Sequence, residues 1–452
     1  MSSVNSNFMH TQDQLKEIVS DVLQYTRLIG ATDAAVEICE GDGLSVSVRC
    51  GKIETIERKH DKSVGITVFI GQRSGNASTS DFSKKALYDT VSAAYDIAGF
   101  TAEDDCAGLA EGRLLEKHPQ DLSLFHPWEI TPDKAVELAH RCEQAAFGTS
   151  SLIHNSEGAS VSAQHSQFFF GTTKGFLEGY PYSHHHLSVS PIAGSGDGMQ
   201  RDSWYSSKRL ADDLANPEAI GRYAAERALA RLYSRKLSTR KCPVLFEAPL
   251  AAGLIGAFVQ AVSGGALYRK ATFLIDSLGK RIFASHIGIE EDPHILRAMG
   301  SAPYDDEGVR THRRDVVKHG VVEGYFLSTY SARKLGMETT GNAGGSHNLR
   351  LYSTETQPTD DFCTMLKKLG TGLLVTELMG QGVNYVTGDY SRGAAGFWVE
   401  GGEIQYPVEE ITLAGNLNHM FQKIVAVGAD TLVRGTKEVG SILIEEMIIA
   451  GH

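Results

Sequence analysis

The sequence contains no CxxC pair, no long basic run and no apolar stretch of membrane-spanning length. Each absence excludes a class of function. Six cysteines, Cys39, Cys50, Cys106, Cys142, Cys242 and Cys363, lie far apart, which argues against a disulfide framework or a thiolate metal site and predicts reduced thiols packed as small core hydrophobes. The net charge is -12 and the longest cationic segment is RTHRRDVVK, Arg310 to Lys318, so direct contact with nucleic acid or anionic lipid is disfavoured. The longest apolar run, Pro249 to Val262, is interrupted by Gly253, Gly256 and Gln260 and falls short of the ~20 residues that cross a bilayer. It reads as a core helix, and no membrane span is expected. The polar start MSSVNSNFMHTQDQ lacks the basic and then apolar pattern of a signal peptide, so a cytoplasmic location is expected. Proline is scarce, 12 against 47 glycines, which suggests tight turns between strands.

What is present is ordinary globular material: 452 residues, 42% hydrophobic and 22% charged, enough for two or three domains. Thr11 and Gln14 have the spacing of a capping box ahead of Leu15, Ile18, Val19, Val22 and Leu23, which predicts a first helix ending at Gly30. Short β-rich runs follow from Asp33 to Ser80, turned at Gly41-Asp42-Gly43, Cys50-Gly51 and Gly71. Asp81 is then expected to cap a helix that Gly99 ends. After a connector from Thr101 to Trp128, Thr131-Pro132 opens a third helix, strands return from Ser151 to Ser207, and Asn216-Pro217 opens a fourth. Both segments read as capped helix, meander, capped helix, a structural duplication carried by element order. From CPVLFEAP onward the chain is strand and turn around the apolar helix, with one short helix from about Thr359 to Gly370. The predicted class is α+β: a duplicated helix-meander-helix N-terminal part with large mixed sheets, then a β-rich C-terminal domain containing one buried helix. The predicted domains are 1-125, 126-236 and 237-452.

Candidate chemistry is sparse. His184, His185 and His186 form the one local imidazole cluster, but adjacent strand residues point to opposite faces, so His184 and His186 alone can share a ligand. Packing among Tyr180, Tyr182 and Trp204 is the competing reading. Gly194-Ser195-Gly196-Asp197-Gly198 lacks the Lys-Ser/Thr ending of a phosphate loop, and Ser391 lacks a G-x-S-x-G frame. In TGNAGGSHNLRL, small residues allow close backbone approach while Asn342, His347, Asn348 and Arg350 supply hydrogen-bonding groups. The segment reads either as part of a peptide groove or as a glycine-rich bulge that satisfies its own backbone.

Three long stretches, VEICEGDGLSVSVRCGKIETIER, GGALYRKATFLIDSLGKRI and GDYSRGAAGFWVEGGEIQYPVEEITLAGNL, resemble the TldD/PmbA family of bacterial proteins. That family was once described as modulators of DNA gyrase and is associated with metallopeptidase activity. In its TldD branch the helix before the Arg-Lys segment carries His-Glu-x-x-x-His, two zinc ligands and a base, and the third ligand is a cysteine near the C-terminus. Alignment on Arg269-Lys270 places Gly256, Ala257 and Ala261 at the His, Glu and His positions, and no cysteine follows Cys363. The resemblance is thus to the PmbA branch, also called TldE. It implies a non-catalytic subunit with no zinc or other cofactor of its own, paired with a TldD-type catalytic subunit that holds the zinc. The substrates implied are unfolded or short peptides, such as leader peptides or a labile antitoxin; a homodimer of the isolated chain is open as the general two-fold prior for soluble proteins, and the sequence does not decide between homodimer and heterodimer. An independently active hydrolase whose metal ligands the sequence does not locate, with His184 and His186 the least poor candidates, and a regulator that binds another protein without proteolysis, are the alternatives.

Overall fold

Two helix-meander-helix units join through their first strands to build the N-terminal half. The structure, a computed structural model, describes residues 8–451, so the first half of the polar start lies outside them. Helix α1 (Gln12–Leu28) opens on the expected capping box: the Thr11 hydroxyl accepts from Gln14 N, and the Gln14 side chain accepts from Thr11 N. Leu15, Val19, Val22 and Leu23 form its buried face. Strands β1 (Asp33–Arg49), β2 (Lys52–Ile70) and β3 (Arg73–Thr79) form a meander. At the first turn Cys50 and Gly51 both take left-handed backbone, φ 48° and 72°, a conformation glycine adopts freely. Helix α2 (Lys84–Phe100) differs from expectation at both ends. Its cap is Ser83, whose hydroxyl accepts from Ala86 N, while Asp81 accepts from Ser83 N one step earlier. Gly99 remains within the last turn.

Helix α3 (Pro132–Phe147), capped by Thr131, begins the second unit. It continues through β4 (Ile153–Thr172), β5 (Leu177–Ala193), β6 (Gln200–Arg201), β7 (Trp204–Lys208) and α4 (Pro217–Ala230), the last capped by Asn216. One seven-stranded sheet results, in the order β3-β2-β1-β4-β5-β6 with β7 also on β5, and every pairing within it is antiparallel. Even-numbered β1 residues face the helices: Val36 and Ile38 pack with α1 and α2, and Leu44, Val46 and Val48 with α3 and α4. Strand alternation then turns Glu37 and Cys39 to the opposite face. That face meets the C-terminal half.

In the C-terminal half, β8 (Arg240–Phe246) pairs in parallel with the strand Gly372–Met379 and antiparallel with Ile442–Ala450. Strands Asp389–Glu400 and Glu403–Asn416 close the circuit, giving a barrel-like sheet. A second, six-stranded sheet includes Ile287–Asp292 and Asn348–Ser353, with one parallel pairing to Lys437–Val439. Helix α5 (Ala248–Ala261) runs through the largest core, with Pro249 in its first turn and Leu254, Ile255 and Phe258 buried. Burial of each such side chain contributes about 1.5–3 kcal/mol. The short helix Phe362–Leu369 is capped by Asp361 and not by Thr359, because Asp361 Oδ1 stands 2.8 Å from Thr364 N; it stops at Gly370, φ 65°. Gly264–Tyr268, Thr329–Lys334 and Leu417–Gln422 are further short helices, each too brief to leave a helical period in the sequence.

Among the described residues no helix is long and apolar enough to cross a membrane. All six cysteines are free, but Cys50 and Cys363 are exposed while Cys142 and Cys242 are buried. The exposed pair therefore corrects the reading of every cysteine as core.

Candidate functional site

The segment 340–351 is built around an acid that local sequence does not reveal. Glu291, on the strand Ile287–Asp292, is 1% exposed and accepts hydrogen bonds from four directions. Arg314 Nε lies 2.7 Å from Oε2. On Oε1 converge Asn342 Nδ2 at 2.8 Å, His347 N at 2.8 Å and His347 Nδ1 at 3.0 Å. Burial raises the pKa of such a carboxyl, but the His347 hydrogen bond and the Arg314 charge overcome it and hold Glu291 down to about 2. Glu291 Oε1 engages the His347 ring at Nδ1, which leaves Nε2 as its other ring nitrogen. That nitrogen has no partner among the described residues.

The four residues singled out from sequence therefore separate into three roles. Asn342 and His347 meet on Glu291. Asn348 lies one strand position further and ties down the neighbouring loop, donating to Asp292 O and Ser301 Oγ and accepting from Gly300 N. Arg350 is exposed, with Glu438 3.6 Å away.

Of the four, His347 alone lines a cavity of about 420 Å³ between the two halves. The helix-free face of the N-terminal sheet contributes Glu37, Cys39, Phe168, Tyr180 and Tyr182, and the C-terminal half contributes Met299 to Ala302, Tyr304 to Asp306, Ala343 to His347 and Thr436. Loop geometry there depends on Asp305, which accepts from the backbone N–H groups of Glu307, Val309 and Ala343. Arg209 braces the other wall: its guanidinium donates to the carbonyls of Ser183, Ala298 and Met299 and lies over the Tyr182 ring. Glu37, Tyr180, Arg209, Glu291, Asp306 and Arg314 carry no motif. They come together from strands and loops up to 277 residues apart in sequence, so only the fold brings them into view.

The histidine triplet divides as alternation requires. His184 is exposed and His186 half-buried, while His185 is fully buried against Trp128 and His165 and lies 2.8 Å from the His126 carbonyl oxygen. His186 is hydrogen-bonded to Ser207 and packs on Tyr205. Burial lowers all three imidazoles, His185 to about 4. The aromatic neighbours are thus Trp128 and Tyr205, where sequence pointed to Tyr180, Tyr182 and Trp204.

Gly256, Ala257 and Ala261 lie on α5 beside the strands Gly372–Met379, Leu432–Arg434 and Lys437–Val439. Ala257 is 6% exposed and Ala261 0%, both within the main core. A Cβ at Gly256 would stand 3.8 Å from Lys437 Cε. Lys437 is half-buried, has no acidic partner among the described residues, and has its pKa lowered by desolvation. Hydrogen and methyl side chains offer no lone pair, and a nearby ammonium opposes a dication. These residues do not fit zinc. Elsewhere among the described residues no three His, Cys, Asp or Glu side chains stand close enough to hold a metal ion.

Profiles of the PmbA/TldA metallopeptidase domain 1, central domain and C-terminal domain match residues 34–98, 125–232 and 239–451. The chain belongs to the PmbA/TldD family. Metalloprotease PmbA of Escherichia coli O157:H7 is 50% identical over 97% of this chain and 96% of its own length. A metalloprotease PmbA homolog of Haemophilus influenzae is 45% identical over 98% and 97%. Among solved structures, a protein of Bacteroides thetaiotaomicron described as a modulator of DNA gyrase superposes with a TM-score of 0.91 at 26% identity, covering 97% of this chain and 99% of its own. TldE of Thermococcus kodakarensis superposes at 0.83 with 19% identity, over 96% and 100%, which establishes likeness of fold. The PmbA/TldD assignment thus covers nearly the whole chain, including α5 and both walls of the cavity.

Proposed function

We propose that this chain is the PmbA/TldE-type, non-catalytic subunit of a cytoplasmic TldD/TldE-type metallopeptidase, and that it encloses unfolded or short peptides while a TldD-type partner supplies the zinc. One observation carries this reading: at the register where the catalytic branch places His, Glu and His, α5 presents Gly256, Ala257 and Ala261, with Lys437 against the first. None of the three side chains can bind a metal or accept a proton, so a peptidase centre at this place must come from another chain. A subunit of this kind contributes by shape: walls that exclude folded proteins, and surfaces that hold an extended chain.

The test is reconstitution. The purified chain alone is assayed for zinc by elemental analysis and for cleavage of an unfolded peptide, then mixed with a TldD-type subunit. Less than one-tenth equivalent of zinc, with cleavage dependent on the partner, is expected. Stoichiometric zinc and peptidase activity in the lone chain would refute the assignment.

A further inference from the structure

We infer that the cavity between the N-terminal sheet and the loops 299–306 and 343–347 is a binding site for a primary ammonium group of a peptide. This rests on the reading that the chain handles peptide substrates, and deepens it by naming the group recognised. Glu37 enters from β1 and Asp306 from the opposite loop. Neither forms an ion pair with any described residue, though the Cys39 thiol donates to Glu37 at 3.3 Å. Burial and then the Glu37 charge raise the Asp306 pKa, with His347 acting in the opposite direction. Two carboxylates without an ion-pair partner facing one cavity favour a cation between them.

Two further observations point to a ligand and not merely to an acidic patch. His347 is 7% exposed and lines the cavity; its Nδ1 is committed to Glu291, and its Nε2 has no hydrogen-bond partner among the described residues. Tyr304 is 2% exposed, also lines the cavity, and its buried hydroxyl has no hydrogen-bond partner. A buried polar group without a partner carries a desolvation cost that a donor from a ligand removes. Arg209, the cavity's resident cation, is engaged by three carbonyls and does not neutralise Glu37 or Asp306.

The spacing selects the kind of cation. No three acidic, His or Cys groups among the described residues are close enough for a bare metal ion, and the space of about 420 Å³ suits a substituted ammonium approaching the Tyr180 ring. A second cavity of about 470 Å³ shares Tyr180 and Tyr304 with the first. It gives the rest of a peptide room to continue.

The experiment uses the full chain and four fluorescein-labelled peptides of one unfolded sequence: free N-terminus without lysine, N-acetylated without lysine, N-acetylated with one lysine, and N-acetylated with that lysine acetylated. Fluorescence anisotropy is measured for the wild type and for Glu37→Gln/Asp306→Asn, whose sites are solvent-facing and whose fold is checked by circular dichroism. The ammonium peptides are expected to bind at least about tenfold more tightly than their acetylated counterparts, the scale of one charge-assisted hydrogen bond. The double variant should abolish that difference. Preference for the first peptide identifies an N-terminal amine as the source, and preference for the third a lysine side chain. Equal binding of acetylated and free peptides, binding insensitive to the double variant, or no binding at all overturns the inference. Cleavage is monitored in the same samples. Hydrolysis by the lone chain would overturn the subunit assignment while leaving the ammonium comparison intact.

Discussion

Glu291→Gln tests whether the buried network, and not the glycine turns around it, fixes the wall carrying His347. A carboxylate held at about 2 against its ordinary 4.5 contributes on the order of 3 kcal/mol at neutral pH. Because the folded pKa is depressed, that contribution is complete above pH 4.5 and is lost as pH falls toward 2. The amide keeps the shape but leaves the Arg314 guanidinium, 12% exposed, without its counter-charge, and such breaks cost about 3–5 kcal/mol. Native-state hydrogen exchange reads this locally, which matters in a chain whose two halves need not unfold together. At pH 7 the amides of Ile287–Asp292 and Asn348–Ser353 should lose at least two orders of magnitude of protection, and the gap from wild type should narrow below pH 4.5. Glu290→Gln is the control. It lies on the same strand but pairs with exposed Arg313, so it should change protection less than about fivefold. A threefold or smaller effect of Glu291→Gln, or a gap that does not depend on pH, would refute the network argument.

Two other perturbations separate packing from chemistry. Burial pushes the Cys142 thiol up to about 12 and Cys242 to about 11, so a maleimide at neutral pH should label Cys50 and Cys363 and spare the buried pair until the chain unfolds; native labelling of Cys142 at a free-thiol rate would contradict the core. Gly75→Ala would bring a methyl within 2.1 Å of the Ala94 carbonyl oxygen of α2, whereas at Gly65 the same methyl meets nothing within 4 Å. The first should cost about 2–3 kcal/mol in denaturant unfolding and the second under about 1, and equal costs would show that β3 and α2 do not pack so closely.

The N-terminal half was legible because its helices carry both signals a sequence can hold: an apolar face and a capping residue. Thr11, Thr131 and Asn216 each bond the predicted backbone N–H. The exceptions have local causes. Asp81 and Ser83 are both competent caps two residues apart, and the aspartate instead orders the turn entering the helix. The short C-terminal helices have five or six residues, fewer than two turns, so periodicity cannot mark them. Antiparallel pairing of β1 with β4 was not readable at all. Alternating strands specify a face, not a neighbour.

The site followed the same division between local and distant information. Asn342, His347 and Asn348 stood out as donors among glycines, yet what they bind, Glu291, Asp292 and Ser301, lies about fifty residues upstream and looks unremarkable there. Sequence could nominate the segment; only the strand register Leu349↔Glu291 explains why His347 is held with Nε2 uncommitted. Helix α5 is the opposite case. Its sequence offers no chemistry, and its burial follows from composition alone, but a family register turns three inert side chains into a testable proposal about where zinc does not bind. Lys437 strengthens that statement independently of any alignment, because a lone half-buried ammonium beside Gly256 would repel a dication there even if donors were restored. Installing His, Glu and His on α5 should therefore fail to create a zinc site while Lys437 remains. The core at Ala261 must also admit an imidazole where the methyl is now 0% exposed, a change that overpacks the helix by about 1–3 kcal/mol. Creating a zinc site here therefore requires the hairpin Leu432–Val439 to change together with the helix.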